Sequence, residues 1–320
     1  MSGKLTTLTS TIHNNPGGIS LIEYLCERFQ YKNKTAWLDA IAAGQVVVNG
    51  QNTIPSHILK YKDQVSYTSL RTEPPVNTDI ATIFEDDHLL IVNKPAPLSV
   101  HSNGIFISNT LINLLRQKHN NEDLSLCHRL DRETTGVLVL AKDRKLTAQV
   151  MAKFEESTVE KKYLAVTRGE INFQEKMIRG WMGPKPNSLI QIRQELIQEF
   201  KEGYKESSTR FTLSKKLKDH SLVECELLSG RSNQIRLHLE AAGYPIVGDK
   251  LYGREDEQFL NYLDNFKKYG DLTGGDQYDH PRHLLHAWKL SLNHPVTEQR
   301  MHWEAPIHAD MAKFISDRSL

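Results

Sequence analysis

The densest group of reactive side chains lies at residues 127–136, which read CHRLDRETTG. An apolar run over 137–141 follows at once, and a charged loop that leads into a buried strand is where a rigid scaffold presents reactive groups. Asp131 stands between Arg129 and Arg132, and either guanidinium facing it would keep its carboxylate ionised as a nucleophile or electrostatic stabiliser. A solvated turn with incidental ion pairs is the alternative that these residues leave open.

A second segment combines a strand, a turn and a helix around one arginine. Apolar residues alternate along 223–227, which predicts a half-buried strand, and the spacing over 235–242 predicts a helix that ends at Gly243. Arg231 occupies the corner between the two elements. It is either a surface charge or the fixed partner of a buried carboxylate.

Two shorter segments carry single candidate groups. Residues 85–95, EDDHLLIVNKP, predict a buried strand with a rigid exit where Lys94 could meet a phosphate, or a strand with a solvated end. Residues 160–166, EKKYLAV, place Tyr163 at the start of a strand, where core or edge packing is the alternative.

Together these segments resemble the RluA-like pseudouridine synthases. Residues 128–136 are similar to the family's catalytic His-Arg-Leu-Asp-x-x-Thr-Ser-Gly loop, with Thr135 in place of the usual serine. Residues 93–95 resemble its Asn-Lys-Pro motif, residues 162–163 its Lys-x-Tyr strand, and residues 230–236 its Gly-Arg-x-His-Gln-Ile-Arg segment. The segments follow one another in the family's order.

The resemblance covers roughly residues 80–300 and includes PIVGDKLYG at 245–253. Ser229 stands where the family has threonine and Asn233 where it has histidine. These departures leave Arg231 intact and bear on neighbouring substrate contacts.

The resemblance implies an isomerase that detaches uracil from its ribose at nitrogen within RNA and rejoins it through carbon, with no cofactor or metal. It makes Asp131 the catalytic carboxylate, pairs Arg231 with it, and places Tyr163 on the flipped uracil as the candidate acceptor of the proton from carbon 5. It also implies RNA contacts by five residues: His128, Arg129, Lys94, Arg236 and Asn93.

The expected fold is α+β. Residues 79–320 would form a catalytic domain on a mixed, mostly antiparallel sheet flanked by helices and loops. Residues 17–71 resemble a small α+β RNA-binding module of the S-four type, with Lys34-Thr35-Ala36 where a Ser-Arg pair is usual. Residues 1–16 are expected to be a polar tail, and the consecutive prolines within 72–78 predict a linker.

The charge balance at first argues against a polyanion ligand, because 40 Lys and Arg against 39 Asp and Glu give a net charge of +1. Residues 255–280 alone hold seven acids and two lysines, so the rest of the chain carries +6. This segment, with its glycines, is interpreted as a surface excursion or mobile loop. We therefore expect a basic cleft with the acidic segment held away from it or shielding its rim.

The sequence gives little support to other classes of protein, such as nucleotide-cofactor enzymes, metalloproteins and membrane proteins. It contains neither a Gly-x-Gly-x-x-Gly nor a P-loop motif, which argues against a nucleotide cofactor. The three cysteines have no disulfide or zinc-ribbon spacing, and His283-x-x-His286 lacks a third metal ligand. No signal peptide or apolar span is evident, so a cytoplasmic protein without membrane contact is expected. A monomer is expected as well.

The sequence leaves open the RNA substrate and two alternative functions. Large-subunit ribosomal RNA is the expected substrate, with transfer RNA as the alternative. A non-catalytic RNA-binding or ribosome assembly factor would have no need of Asp131, Tyr163 and Arg231 together. A hydrolase with Asp131 as nucleophile would need a second carboxylate, and only Glu133 lies close in sequence.

Overall fold

The chain divides into two compact units, Met1–Glu73 and Pro74–Leu320. The computed structural model describes residues 4–13, 18–29, 32–71, 73–156 and 158–320. Residue 72 of the expected linker lies outside the described residues, and residues 73–78 belong to no helix or strand. Within the described ranges, no helix combines the length and the hydropathy needed to span a bilayer.

The described residues of the smaller unit form two helices and a four-stranded antiparallel sheet. Its strands are β1 (Lys4–Thr11), β2 (Val46–Val48), β3 (Gln51–Asn52) and β4 (Gln64–Arg71), in the order β1-β4-β2-β3. Its helices are α1 (Leu21–Arg28) and α2 (Lys34–Ala42). The predicted hairpin turn is confirmed, because Asn49 and Gly50 both have positive φ, as a two-residue turn of this type requires. Trp37 is buried at the centre of this unit's core.

The prediction of a polar tail over residues 1–16 is wrong for its central part. Strand β1 pairs along its whole length with β4, from Lys4 opposite Arg71 to Thr11 opposite Gln64. The segment is rich in threonine, which suits a strand, and the exposure of Leu5 shows why no buried apolar face marks it in the sequence. Residues 14–16 of the expected tail lie outside the described residues.

In the part of the larger unit that the structure describes, the strands form one sheet of eleven, which confirms the expected mixed, mostly antiparallel α+β architecture. The strands are β5 (Ala81–Glu85), β6 (Leu89–Lys94), β7 (Ser125–Leu126), β8 (Thr135–Ala141), β9 (Glu160–Arg168), β10 (Glu175–Pro184), β11 (Gln194–Ile197), β12 (Lys205–Leu217), β13 (His220–Leu227), β14 (Leu285–Asn293) and β15 (Arg300–Glu304). The order is β11-β10-β12-β13-β9-β14-β8-β6-β5, with β15 beside β14 and β7 beside β8. Only the β14 to β8 pairing is parallel among the described strands.

The described residues of this unit form five α-helices and one short 3-10 helix, Gly275–Gln277. The α-helices are α3 (Leu111–His119), α4 (Arg144–Glu155), α5 (Gln234–Ala241), α6 (Asp256–Tyr269) and α7 (Ala309–Asp317). All seven residues of β8 are buried, because packed side chains cover both faces of the sheet there. The central strands β13, β9, β14 and β8 therefore form a rigid platform for the loops at their ends.

The interpretation of residues 255–280 as a surface excursion or mobile loop is wrong. The segment contains helix α6, which begins with a capping box at Glu255 and ends at Gly270 in the left-handed conformation. Phe259, Tyr262 and Tyr278 are buried in one cluster with Tyr252. Of the acids within the helix, Glu257 and Asp264 are exposed and Asp256 forms an ion pair with Arg193, so the acidic composition obscures the buried aromatic residues.

Candidate active site

A cavity of about 360 Å³ lies at the ends of the central strands. It is lined by residues from the loop that precedes β8, from strand β9, and from the corner between β13 and α5. The structure therefore brings together three of the segments that carry candidate site residues. Asp131, Tyr163 and Arg231 all face it, as do His128, Arg129 and Arg236.

Asp131 is held from behind by Arg236. Arg236 Nη1 donates to Asp131 Oδ2 at 3.0 Å. The other edge of the guanidinium is bound by Asp249, with Nε donating to Oδ2 at 2.6 Å and Nη2 to Oδ1 at 2.8 Å. Burial alone would lower the pKa of Arg236, but the carboxylates of Asp249 and Asp131 raise it well above its usual value. The arginine is therefore a permanent positive charge at a fixed position.

The predicted pairing of Arg231 with Asp131 is wrong. Arg231 is exposed, and its Nε donates to the backbone oxygen of Glu206 at 3.0 Å. The physical reason is the turn before α5, which carries Arg231 to the rim while the first turn of the helix directs Arg236 inward. Both arginines belong to the same motif, and spacing alone does not show which one faces the carboxylate.

Two of the predicted RNA contacts are also wrong. Lys94 is completely buried, and its Nζ donates to the backbone oxygens of Pro95 at 2.8 Å and Arg132 at 3.1 Å. Arg236 is buried and fully engaged by two carboxylates, so it has no edge left for a phosphate. Asn93 does not line the cavity, and its Oδ1 is buried without a hydrogen-bond partner among the described residues.

His128 and Arg129 lie at the cavity as expected, but they differ in exposure and in charge. Arg129 is exposed at its edge. His128 accepts a hydrogen bond at Nε2 from the Val139 amide at 3.1 Å and stacks on the Phe154 ring at 4.6 Å between centroids. Burial, with a further effect of the Lys161 charge, lowers the pKa of His128 to about 3. It is therefore a neutral wall of the cavity and adds no charge for a phosphate.

The loop that carries Asp131 is fixed by side chains far away in sequence. Lys94 donates to the Arg132 carbonyl, and Arg282 Nη1 donates to the Glu133 carbonyl at 3.1 Å. Next along the loop, Thr134 Oγ1 bonds His283 Nε2 and Thr135 Oγ1 bonds His286 Nδ1, each at 2.8 Å. The threonine at 135, where the family has serine, thus supplies the hydroxyl that this contact needs.

Glu133 belongs to this supporting network. Its carboxylate accepts from Arg132 Nη2 at 3.0 Å, from the His283 amide at 3.0 Å and from Lys250 Nζ at 3.3 Å. Burial opposes ionisation, but Lys250 and then Arg132 lower the pKa of Glu133 below its usual value. Glu133 is buried and does not line the cavity, so it cannot serve as the second carboxylate of a hydrolase.

Gly136 lets the loop enter the sheet. Its φ is +112°, and a Cβ added there would stand 2.1 Å from the Ala287 carbonyl oxygen. This close approach joins β8 to β14 in the one parallel pairing of the described strands. Glycine is therefore required where the catalytic loop meets the strand.

Tyr163 lies in the cavity wall on β9 and is buried. Burial raises the pKa of its phenol above the usual value, and the negative charge of Asp131 raises it further. The phenol is therefore protonated at neutral pH. Its ring faces the cavity.

The cavity lining is basic. It includes Arg129, Lys161, Arg231 and Arg236 against the acids Asp131 and Glu155, and no described residue of 255–280 contributes to it. The acidic segment is thus held away from the cavity, as the charge distribution predicts. No group of three potential metal-binding residues occurs among the described residues, and His283 and His286 instead hold the two threonines.

Comparison with known proteins identifies the class. A solved structure titled human RNA pseudouridylate synthase domain containing 4 superposes with a TM-score of 0.55 at 26% identity, covering 72% of this chain and 90% of that chain. The mixed sheet with a carboxylate in its central cavity is thus the fold of a pseudouridine synthase. The sequence model for RNA pseudouridylate synthase matches residues 88–241.

The chain belongs to the RNA pseudouridylate synthase family. Ribosomal large subunit pseudouridine synthase C of Vibrio vulnificus is 31% identical over 276 residues, which are 86% of this chain and 79% of that protein. Ribosomal large subunit pseudouridine synthase D of Nitrosomonas europaea is 33% identical over 237 residues, or 73% of this chain, and the match spans 63% of that relative. The resemblance of residues 80–300 to pseudouridine synthases is confirmed.

Proposed function

We propose that this protein converts specific uridines of large-subunit ribosomal RNA to pseudouridine. The observation that carries the proposal is Asp131, which faces a basic cavity while Arg236 holds its carboxylate from behind. The two relatives named as ribosomal large subunit synthases support the choice of RNA.

Asp131 acts on the sugar of the target nucleotide. The reaction breaks the bond from N1 to C1′, forms one from C5 to C1′, and transfers a proton from C5 to N1 overall. Because Arg236 binds Oδ2, the other oxygen, Oδ1, has no hydrogen-bond partner among the described residues. Oδ1 can therefore stabilise or trap the positive charge that develops at C1′ as the base leaves.

Tyr163 stacks on the extruded uracil. A base within an RNA helix must leave its stack to reach such a cavity, at a cost of about a few kcal/mol that an aromatic platform partly offsets. The raised pKa keeps the phenol protonated, so Tyr163 must lose its proton before it can accept the one from C5. Arg129 and Arg231, at the rim, face the RNA backbone.

The smaller unit serves as an additional RNA-binding module. An RNA contact by this unit is supported by three consecutive exposed residues, Lys60, Tyr61 and Lys62, in which the Lys62 ammonium lies 5.5 Å from the Tyr61 ring. Exposed cations beside an aromatic ring suit phosphate and base contacts.

Replacing both Lys60 and Lys62 with alanine should weaken RNA binding and reduce its dependence on salt concentration, as measured by fluorescence anisotropy.

Substitution of Asp131 tests the function. Carbodiimide adducts are mapped across ribosomal and transfer RNA from cells that carry the wild-type gene, no gene, Asp131→Asn or Glu155→Gln. We expect one or more ribosomal signals to require Asp131 and to persist with Glu155→Gln, which changes the other carboxylate of the cavity. Pseudouridine formed by folded Asp131→Asn protein would refute the catalytic assignment. A signal that is lost only from transfer RNA would refute the ribosomal target.

A further inference from the structure

Lys161 is a buried lysine in the wall of the cavity. It is 7% exposed and lies on β9 two residues before Tyr163. Alternate residues of a strand share a face, so both side chains point into the cavity, and both line it. Lys161 takes no part in the proposed reaction of Asp131 and Tyr163.

The ammonium of Lys161 has no partner among the described residues that could neutralise it. No hydrogen bond or ion pair connects it to any residue that the structure describes, and the Phe154 ring lies 5.7 Å from Nζ. The other buried lysines differ, since Lys94 donates to two carbonyls and Lys250 to Glu133 and the Pro281 carbonyl. An unpartnered buried cation is costly, so its presence in a functional cavity points to a ligand.

A second cation lies beside it. Nζ of Lys161 is 3.5 Å from the point where a Cβ on Gly230 would stand, directly before Arg231. After burial, the charge of Arg231 is what lowers the pKa of Lys161. Arg231 itself has no ion pair among the described residues, because its Nε meets only a backbone oxygen.

The anions nearby do not neutralise these two cations. Asp131 is bound by Arg236, and Glu155 forms no ion pair with a described residue. His128, which also faces Lys161, is neutral because of its low pKa. Two adjacent cations that face a cavity and form no ion pair with a described residue are a candidate site for an anion, and RNA carries a phosphate on each side of every ribose.

We propose that Lys161 and Arg231 together bind a phosphate of the extruded nucleotide and so hold its ribose against Asp131. This inference rests on the proposed function and names the part of the RNA that the cavity recognises. One neutral donor would satisfy a uracil carbonyl, whereas two charges match a phosphodiester. Lys161 is thus a binding residue that places C1′ beside the carboxylate.

Nucleotide binding to the full-length protein tests the proposal without turnover. Affinities are measured by calorimetry or NMR titration for uridine, uridine 3′-monophosphate and uridine 5′-monophosphate. We expect wild type to bind one monophosphate about tenfold more tightly than uridine, as a charge-assisted contact predicts. Lys161→Gln should lose most of this preference and keep its affinity for uridine, while Lys161→Arg keeps the preference.

Lys162→Gln is the matched control. Lys162 is the next residue on the opposite face of β9, where it forms an ion pair with Glu224 at 2.6 Å, and its loss should leave the preference unchanged. Equal affinity of wild type for all three ligands, or an unchanged preference in Lys161→Gln, would overturn the proposal. The preference is independent of catalysis, so pseudouridine formation by wild type separately reports whether the proposed function holds.

Discussion

Arg236 donates to Asp131 at 3.0 Å, and among the described residues this is the only ion pair that Asp131 forms. The guanidinium cannot turn away, because Asp249 binds its other edge with two hydrogen bonds. Asp249 is in turn fixed by the backbone amides of Leu251 and Tyr252. The carboxylate is thus oriented by a chain of buried contacts rather than by solvent-exposed charges.

This arrangement predicts different effects for the two arginines of one motif. Arg236→Met leaves Asp249 buried without its partner, which should lower the free energy of unfolding by about 3 to 5 kcal/mol. Arg231→Gln removes an exposed side chain and should cost less than about 1 kcal/mol. Urea unfolding of both variants measures this, and equal destabilisation would contradict the assignment of Arg236 as the structural partner.

Gly136 offers a second test, on the approach of the loop to the sheet. Gly136→Ala places a Cβ against the Ala287 backbone and at a positive φ, so we expect loss of soluble protein or a destabilisation above about 3 kcal/mol. Gly243→Ala is the control, because its φ is +86° but no atom lies within 4 Å of the added Cβ. It should cost about 1 kcal/mol. Similar thermal unfolding of the two variants would show that the close approach is absent.

His238 predicts a dependence of stability on pH. Burial lowers its pKa from an ordinary value of 6.5 to about 4. Between these values the unfolded chain binds the proton and the folded chain does not, so this contribution to stability is complete above pH 6.5 and decreases as pH falls towards 4. His238→Gln, which can still contact Ser207, should reduce the pH slope near pH 5 by about one proton. Urea titrations at a series of pH values measure the slope, and an unchanged slope would argue against a neutral buried His238.

Much of the site could be predicted because its residues are local in sequence. The loop at 128–136 joins a polar run to an apolar one, and the strand and helix around Arg231 show their own periodicities. The structure confirms these elements as β8, β13 and α5. Family resemblance then supplies the chemistry that periodicity cannot.

The rest depends on contacts that no local pattern records. His283 and His286 lie about 150 residues from the threonines they hold, so the sequence shows only a pair of histidines that resembles a weak metal motif. Arg231 and Arg236 are five positions apart, and the turn between them decides which one faces inward. Helix α6 could not be predicted from the acidic composition of its segment, because a count of charges takes no account of the aromatic residues that pack one face into the core.

Two substitutions of Tyr163 separate its role in stacking on the base from its role in proton transfer. Tyr163→Phe keeps the ring and removes the hydroxyl, so binding of a substrate transcript should be preserved. If the hydroxyl accepts the C5 proton, the single-turnover rate should fall by about 10² to 10⁴. Tyr163→Leu removes the platform and should weaken binding by about 1 to 3 kcal/mol as well.

The pH dependence of the wild-type rate decides the state in which Tyr163 acts. Its pKa is raised by burial and by Asp131, so the phenolate is a small fraction at pH 7 that grows with pH. A rate that requires the phenolate in the free enzyme should therefore increase about tenfold for each pH unit between 7 and 9. A flat profile, together with a large defect in Tyr163→Phe, would instead show that the protonated hydroxyl is the active form and donates a hydrogen bond to the uracil.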